Sequence, residues 1–230
     1  MRPVLQLVAV VLAGLGLSYA GEVVDGILAV VNNKAIFRSQ LEDALSFEAL
    51  QQGKSVDQLS EEERKKELDR MIDQELIRQE MHNYPTVSPP QAEIQQQLQQ
   101  LRKHVPGAET ETGWQQALQR AGLTAEDVTE QVRAQLEILH FLDARLRPTV
   151  RVDRSMVTAY YREKFLPELR RSGAKDVPLG QVYSQIQEIL VQEELAKTVD
   201  YWLKTLREQS DIYIGPPSIE DSPLVNHGKP

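Results

Sequence analysis

The sequence predicts a mainly α fold: several helices around a small β-sheet, the sheet built from an N-terminal hairpin and a C-terminal strand. Three observations carry this. Helix-start signals recur at Ser39, Ser60, Ser88 and Thr124. The stretch Val23 to Glu42 is β-branched or small at its apolar positions, and Asn32-Asn33 interrupts it. A last short apolar run, Asp211-Ile-Tyr-Ile-Gly215, has strand composition.

Asn tolerates φ > 0 better than any residue but Gly, so Asn32-Asn33 predicts a tight hairpin turn. Ser39-Gln-Leu-Glu42 then has the form of a capping box and starts a helix. A hairpin that leads straight into helices leaves one strand unpaired and one apolar face open. The run at 211–215 is expected to return and cover both.

Leu41, Leu45, Phe47 and Leu50 fit a short amphipathic helix ended by Gly53. Ser60-Glu-Glu-Glu63 is a second capping box, with acids in the first turn where the helix dipole favours them. It opens a stripe of Leu68, Met71, Ile72, Leu76 and Ile77 that reaches Met81 and Tyr84. The charge run Glu61 to Glu67 reads as the solvated face of that helix. Ser88-Pro-Pro-Gln91 starts a glutamine-rich helix carrying Ile94, Leu98 and Leu101, stopped by Pro106-Gly107. Thr112 to Ala121, with Trp114 and Leu118, is a short helix closed by Gly122.

Thr124-Ala-Glu-Asp127 caps a long helix whose face is Val128, Val132, Leu136, Leu139 and Leu142. Asp153 caps the next, which bears Met156, Val157, Tyr160, Tyr161 and Phe165. Between Phe165 and Asp176 periodicity is lost around Pro167 and Gly173, which predicts a loop or a frayed helix end. A helical pattern resumes after Pro178 and spans 179–208.

Composition bounds the rest. Met1-Arg2, the apolar run Val4 to Leu17 and Ser18-Tyr19-Ala20 have the form of a secretory signal peptide, 1–20, cleaved after Ala20. Residues 21–215 then form one domain, and the polar, proline-containing 216–230 a disordered tail. There is no cysteine. An exported chain without disulfides relies on its core alone, which suits a bacterial periplasm. The net charge of −8, with no basic cluster, argues against nucleic acid as a partner. Beyond the signal no apolar run is long enough to span a membrane, so no membrane span is expected in the mature protein.

Catalytic patterns are not apparent. Glu137-x-x-His140 is the one pair at helical spacing that could ligate a metal. A carboxylate-bridged di-iron bundle needs it twice, so a half-exposed helix histidine is the preferred reading. Gly-x-Gly occurs only at Gly14-Leu-Gly16, and there is no Gly-x-Ser-x-Gly. No catalytic residue, metal or cofactor is assigned. Met81, Tyr84, Trp114, Phe141, Tyr160 and Tyr161, among long polar helices, are candidates for core or for an apolar peptide-binding groove.

The chain to about Pro217 resembles the chaperone module of the SurA and PrsA periplasmic chaperones, the SurA N-terminal domain. The resemblance rests on Val23-Val-Asp-Gly-Ile-Leu-Ala-Val-Val-Asn-Asn-Lys-Ala-Ile36 with Ser39, on Met71-Ile-Asp-Gln-Glu-Leu-Ile77, and on Gly122-Leu-Thr124. It continues through Val150-Arg-Val152, Val157-x-x-Tyr-Tyr161, Trp202-Leu-x-x-Leu-Arg207 and Ile212-Tyr-Ile214. In these chaperones parvulin prolyl-isomerase domains normally lie between the Tyr-Tyr segment and the last helix. Here the gap 162–177 is far below the ~50 residues a domain requires. The resemblance thus implies a SurA-type module lacking the parvulin domain, and not an enzyme. It also implies an ATP-independent periplasmic holdase for unfolded or extended polypeptide clients, outer-membrane proteins first among them. The alternatives are a prolyl isomerase with a degenerate site and a dedicated envelope assembly factor.

Overall fold

The computed structural model describes residues 25–84 and 88–215. The expected signal peptide at 1–20, the tail at 216–230 and the first two residues of the hairpin stretch lie outside them.

Strands β1 (Ile27–Val31) and β2 (Lys34–Phe37) pair antiparallel across a turn in which Asn32 takes φ 55°. Strand β3 (Ile212–Ile214) returns to the other side of β1, giving the order β2-β1-β3 with Val30 opposite Tyr213. Ala29, Val31 and Ile36 alternate onto the inner face and are buried. There they meet Ile72 and Leu76 of helix α2 (Glu61–Met81), with Leu206 and Ile212 packed at the margin. The expected covering of the hairpin by the last strand is present.

Helix α1 (Arg38–Gln52) starts earlier than the Ser39 capping box implied. Its N-cap is Phe37, whose N–H donates to Gln40 Oε1 at 2.9 Å. Ser39 sits inside the first turn, and its hydroxyl and N–H both donate to Asp25. A carboxylate fourteen residues upstream thus serves the orphan N–H groups that a local cap would otherwise satisfy. Gly53 ends the helix at φ 64°, and a Cβ there would lie 2.6 Å from Pro106 Cδ, so the site needs glycine for both reasons.

Ser60 and Glu63 form the expected capping box of α2: Ser60 N–H donates to Glu63 Oε2 at 2.8 Å and Glu63 N–H to Ser60 Oγ at 3.2 Å. One member of the charge run is not on the solvated face. Glu67 is 4% exposed, and Arg70 one turn on neutralises it through Nε (2.9 Å) and Nη2 (2.5 Å).

Helix α3 (Gln91–His104) is capped by Pro90, not Ser88. Helix α4 (Glu111–Ala121) starts from Thr110, whose Oγ1 accepts from Gly113 N–H at 3.1 Å. A Cβ on Gly113 would lie 1.8 Å from the Gly107 carbonyl oxygen, so only glycine permits this close approach of loop to helix. Helix α5 (Ala125–Leu146) begins at the Thr124–Asp127 box. Phe47, Ile94, Trp114, Leu118, Val128, Val132 and Leu136 from α1, α3, α4 and α5 make the largest buried cluster. Each large apolar side chain there contributes about 1.5–3 kcal/mol by leaving water.

Asp153 Oδ1 accepts from the N–H groups of Ser155 and Met156 and starts α6 (Arg154–Tyr160). Of the stretch between Phe165 and Asp176, expected as a loop or a frayed helix end, residues 166–171 are helix and 172–176 are not. One π turn, Tyr161–Phe165, carries α6 directly into α7 (Leu166–Arg171), with Leu166 N–H bonded back to Tyr161 O. The wider turn lies just before Pro167, where a proline ring in a regular helix clashes with the carbonyl four residues back.

Helix α8 (Leu179–Glu208) has 30 residues, a rod of about 45 Å. Its first half packs Val182, Ile186 and Leu190 on Val157 of α6, a cluster separate from those of the body. Its far end is held to α2, where Arg207 Nε donates to Asp73 Oδ1 at 2.6 Å and Nη2 to Asp69 O at 3.0 Å.

Candidate peptide-binding groove

A groove of about 500 Å³ runs between α1, α3 and α5. Its floor is apolar: Phe47, Val132 and Leu136 are buried members of the main core, Leu101 is half-buried and Leu139 is 56% exposed. Its rim is amide-rich, with Gln51, Gln97, Gln100 and Gln135, together with His104. Among the described residues no Asp, Glu, Lys or Arg lines it.

The local sequence explains the arrangement. On α3, Ile94, Leu98 and Leu101 face the core at helical spacing and leave the glutamines at the margin of that stripe. On α5, Val128, Val132 and Leu136 are buried, whereas Leu139, on the same stripe one turn further along, lies at the groove and stays in water. His104 Nδ1 lies 2.8 Å from the Gln100 carbonyl, one turn back on the same helix. At one end of the groove His140 Nε2 and Glu93 Oε1 join α5 to α3 at 2.9 Å. Each glutamine amide both donates and accepts, so the rim can satisfy the backbone of an extended chain in any register. Apolar side chains of that chain gain by resting on the floor.

The six residues singled out from sequence are dispersed. Trp114 (7% exposed) is in the main core, and Met81 (8% exposed) is buried on α2. Tyr84, Phe141 and Trp202 form an aromatic row joining the end of α2 to α5 and α8, with centroids 5.7 and 6.1 Å apart. The Arg145 guanidinium lies 5.3 Å from the Tyr84 centroid. Tyr160 and Tyr161 belong to the arm made by α6, α7 and the start of α8. There Lys164 sits 5.2 Å from the Tyr160 ring, and Tyr161 stacks on Phe165 while its OH donates to Val177 O at 2.7 Å. None of the six lines the groove. The residues that do were not among those singled out; the available signal was the density of glutamine around a narrow apolar stripe on α3.

Glu137 is not the partner of His140, which is bonded to Glu93 instead. Among the described residues no group of three or more metal-binding side chains converges, and no helix is long and apolar enough to cross a membrane.

A family model described as SurA-like N-terminal domain matches residues 1–142, more than half of the 230. The chain belongs to the SurA-like N-terminal domain family. Every residue that lines the groove falls within the matched part of this SurA-like module. The match ends inside α5, so α6, α7, α8 and β3 lie beyond it, although β3 completes the sheet. The SurA N-terminal domain is the chaperone module and is distinct from a parvulin isomerase domain. Between Tyr161 and Leu179 the SurA-like chain has only the π turn, α7 and a short link. No curated protein matches the chain.

Proposed function

We propose that this chain is a periplasmic, ATP-independent holdase that binds unfolded polypeptides, outer-membrane β-barrel precursors among them, in the groove between α1, α3 and α5. The observation that carries the reading is an open groove with an apolar floor and an amide-bearing rim, built within the part of the chain that matches a chaperone module. A floor of this kind selects for apolar side chains at roughly 25 cal/mol per Å² buried. The rim accepts backbone without reading sequence. Ordering the client offsets much of the gain, so binding is weak and reversible, as a holdase requires.

Light scattering from an outer-membrane β-barrel protein diluted out of urea tests this. Aggregation falls as the protein approaches a few-fold molar excess, and Leu139→Glu, which puts a charge on the floor, abolishes the effect. Unchanged scattering with the wild-type chain overturns the proposal. A protease-coupled proline-peptide assay is expected to show the uncatalysed rate, and any acceleration favours an isomerase instead. Capture of one stoichiometric envelope partner, rather than many unfolded chains, favours a dedicated assembly factor.

A further inference from the structure

β3 is an edge strand, and the two edges of the sheet are unlike each other. Gly215 N–H donates to Leu28 O at 2.8 Å and Asn32 N–H to Asp211 O at 2.7 Å, while Val30 lies opposite Tyr213. These fix the parity of the ladder: Asp211, Tyr213 and Gly215 direct their peptide groups at β1. The N–H and C=O groups of Ile212 and Ile214 therefore point away from the sheet. The opposite edge is blunted. On β2 the Phe37 N–H is taken by Gln40, Lys34 adds a charge, and the strand turns directly into α1. Among the described residues β3 has no such protection. It is Ile-Tyr-Ile, without charge or proline, and Tyr213 (40%) and Ile214 (63%) are among the exposed large apolar residues.

We infer that the edge of β3, uncovered among the described residues, is a second client contact, at which an extended segment of an unfolded polypeptide adds as a further antiparallel strand. This rests on the holdase reading above and names the form in which part of the client is held. Two other occupants fit less well. A stable dimer uses about 20–30 residues a side, and a strand of three residues offers far less. The chain's own continuation begins Pro216-Pro217, and a two-residue hairpin turn needs φ > 0 where proline holds φ near −65°, so this sequence disfavours a tight return onto the edge. A short edge with few hydrogen bonds suits capture that must later be released.

The test is amide hydrogen exchange by NMR on the full chain, with and without an outer-membrane β-barrel protein diluted from urea. The amides of Ile212 and Ile214 are expected to slow on client addition, while Tyr213, already bonded to β1, does not change. Ile214→Pro removes an outward N–H without touching the β1 ladder and is expected to weaken client binding roughly three- to tenfold, the worth of one net backbone hydrogen bond. Client bound with unchanged exchange at Ile212 and Ile214 overturns this inference alone. Absence of any client binding overturns it together with the holdase reading. Protection that rises with protein concentration in the absence of client assigns the edge to a second copy of the chain and overturns it as well.

Discussion

Asn32 and Asp211, 179 positions apart, are joined twice: Asn32 N–H donates to the Asp211 carbonyl at 2.7 Å, and Asp211 N–H donates to Asn32 Oδ1 at 3.0 Å. The Asn32 side-chain amide also donates to Gln79 Oε1 at 2.7 Å. One turn residue therefore sets the hairpin, receives the last strand and ties both to α2.

Substitutions at Asn32 separate its two roles. Glycine keeps the φ of 55° but loses the side-chain bonds, and is expected to cost about 1–2 kcal/mol. Alanine adds the penalty of a left-handed backbone, roughly 1 kcal/mol more. Urea unfolding monitored by far-UV circular dichroism gives the order wild type, glycine, alanine; equal loss in both variants means the backbone conformation contributes nothing.

Two carboxylates give opposite pH dependence. The Ser60 backbone, the Ser60 hydroxyl and then Lys54 hold the Glu63 carboxyl down at about 2, against an ordinary 4.5. Its contribution is fully present above pH 4.5 and is lost as pH falls toward about 2. Burial, followed by Asp127 and Glu42, pushes Asp43 above its ordinary 3.8, so its ionisation costs stability as pH rises. Glu63→Gln should therefore lower Tm at pH 7, with the gap closing below pH 4.5. Asp43→Asn should raise Tm at pH 7, with its gap closing below pH 3.8. Thermal scans from pH 2 to 8 read both, and a gap of constant size in either variant contradicts the assignment.

Arg207 secures the end of α8 by its fork to Asp73 and the Asp69 carbonyl. Arg207→Met keeps the side-chain stem and removes the charge. The expected loss is about 1 kcal/mol, because the pair is partly solvated. Hydrogen exchange localises it: amides of the last turn of α8 and of β3 accelerate, while those of α6 do not.

Leu139 and Trp114 divide binding from folding. Leu139→Gln exchanges an exposed leucine and is expected to stay within about 0.5 kcal/mol of wild-type stability while weakening client binding. Trp114→Ala empties part of the main core and is expected to cost about 3–5 kcal/mol. Trp114→Phe, which stays folded, is expected to leave client affinity unchanged. Loss of affinity in that variant would relocate the binding site.

The sheet was legible because its signals are local in the chain even where its contacts are not. Asn32 tolerates the turn, and Ile212-Tyr-Ile214 has the composition of a short strand after a helix end. Ser60, Thr124 and Asp153 act within three residues of themselves, so their helices start where expected. Ser39 did not behave this way because its partner, Asp25, is remote. The stretch after Phe165 stayed open between loop and frayed helix end because a π turn before Pro167 has no sequence pattern of its own. The groove was hidden for another reason. A glutamine on α3 reads as solvent-facing by spacing, and only the placement of α1 and α5 beside it turns that face into a rim.

Because β1 is completed only by β3, the chain through residue 214 must be present before the sheet can close. Until then the inner edge of β1 is bare, and closing so long a loop carries an entropic cost before any contact rewards it. α1 to α5 can assemble from near neighbours during that interval, with β3 latching on at the end. A protein proposed to shelter unfolded chains thus passes, in its own folding, through a state with an open strand.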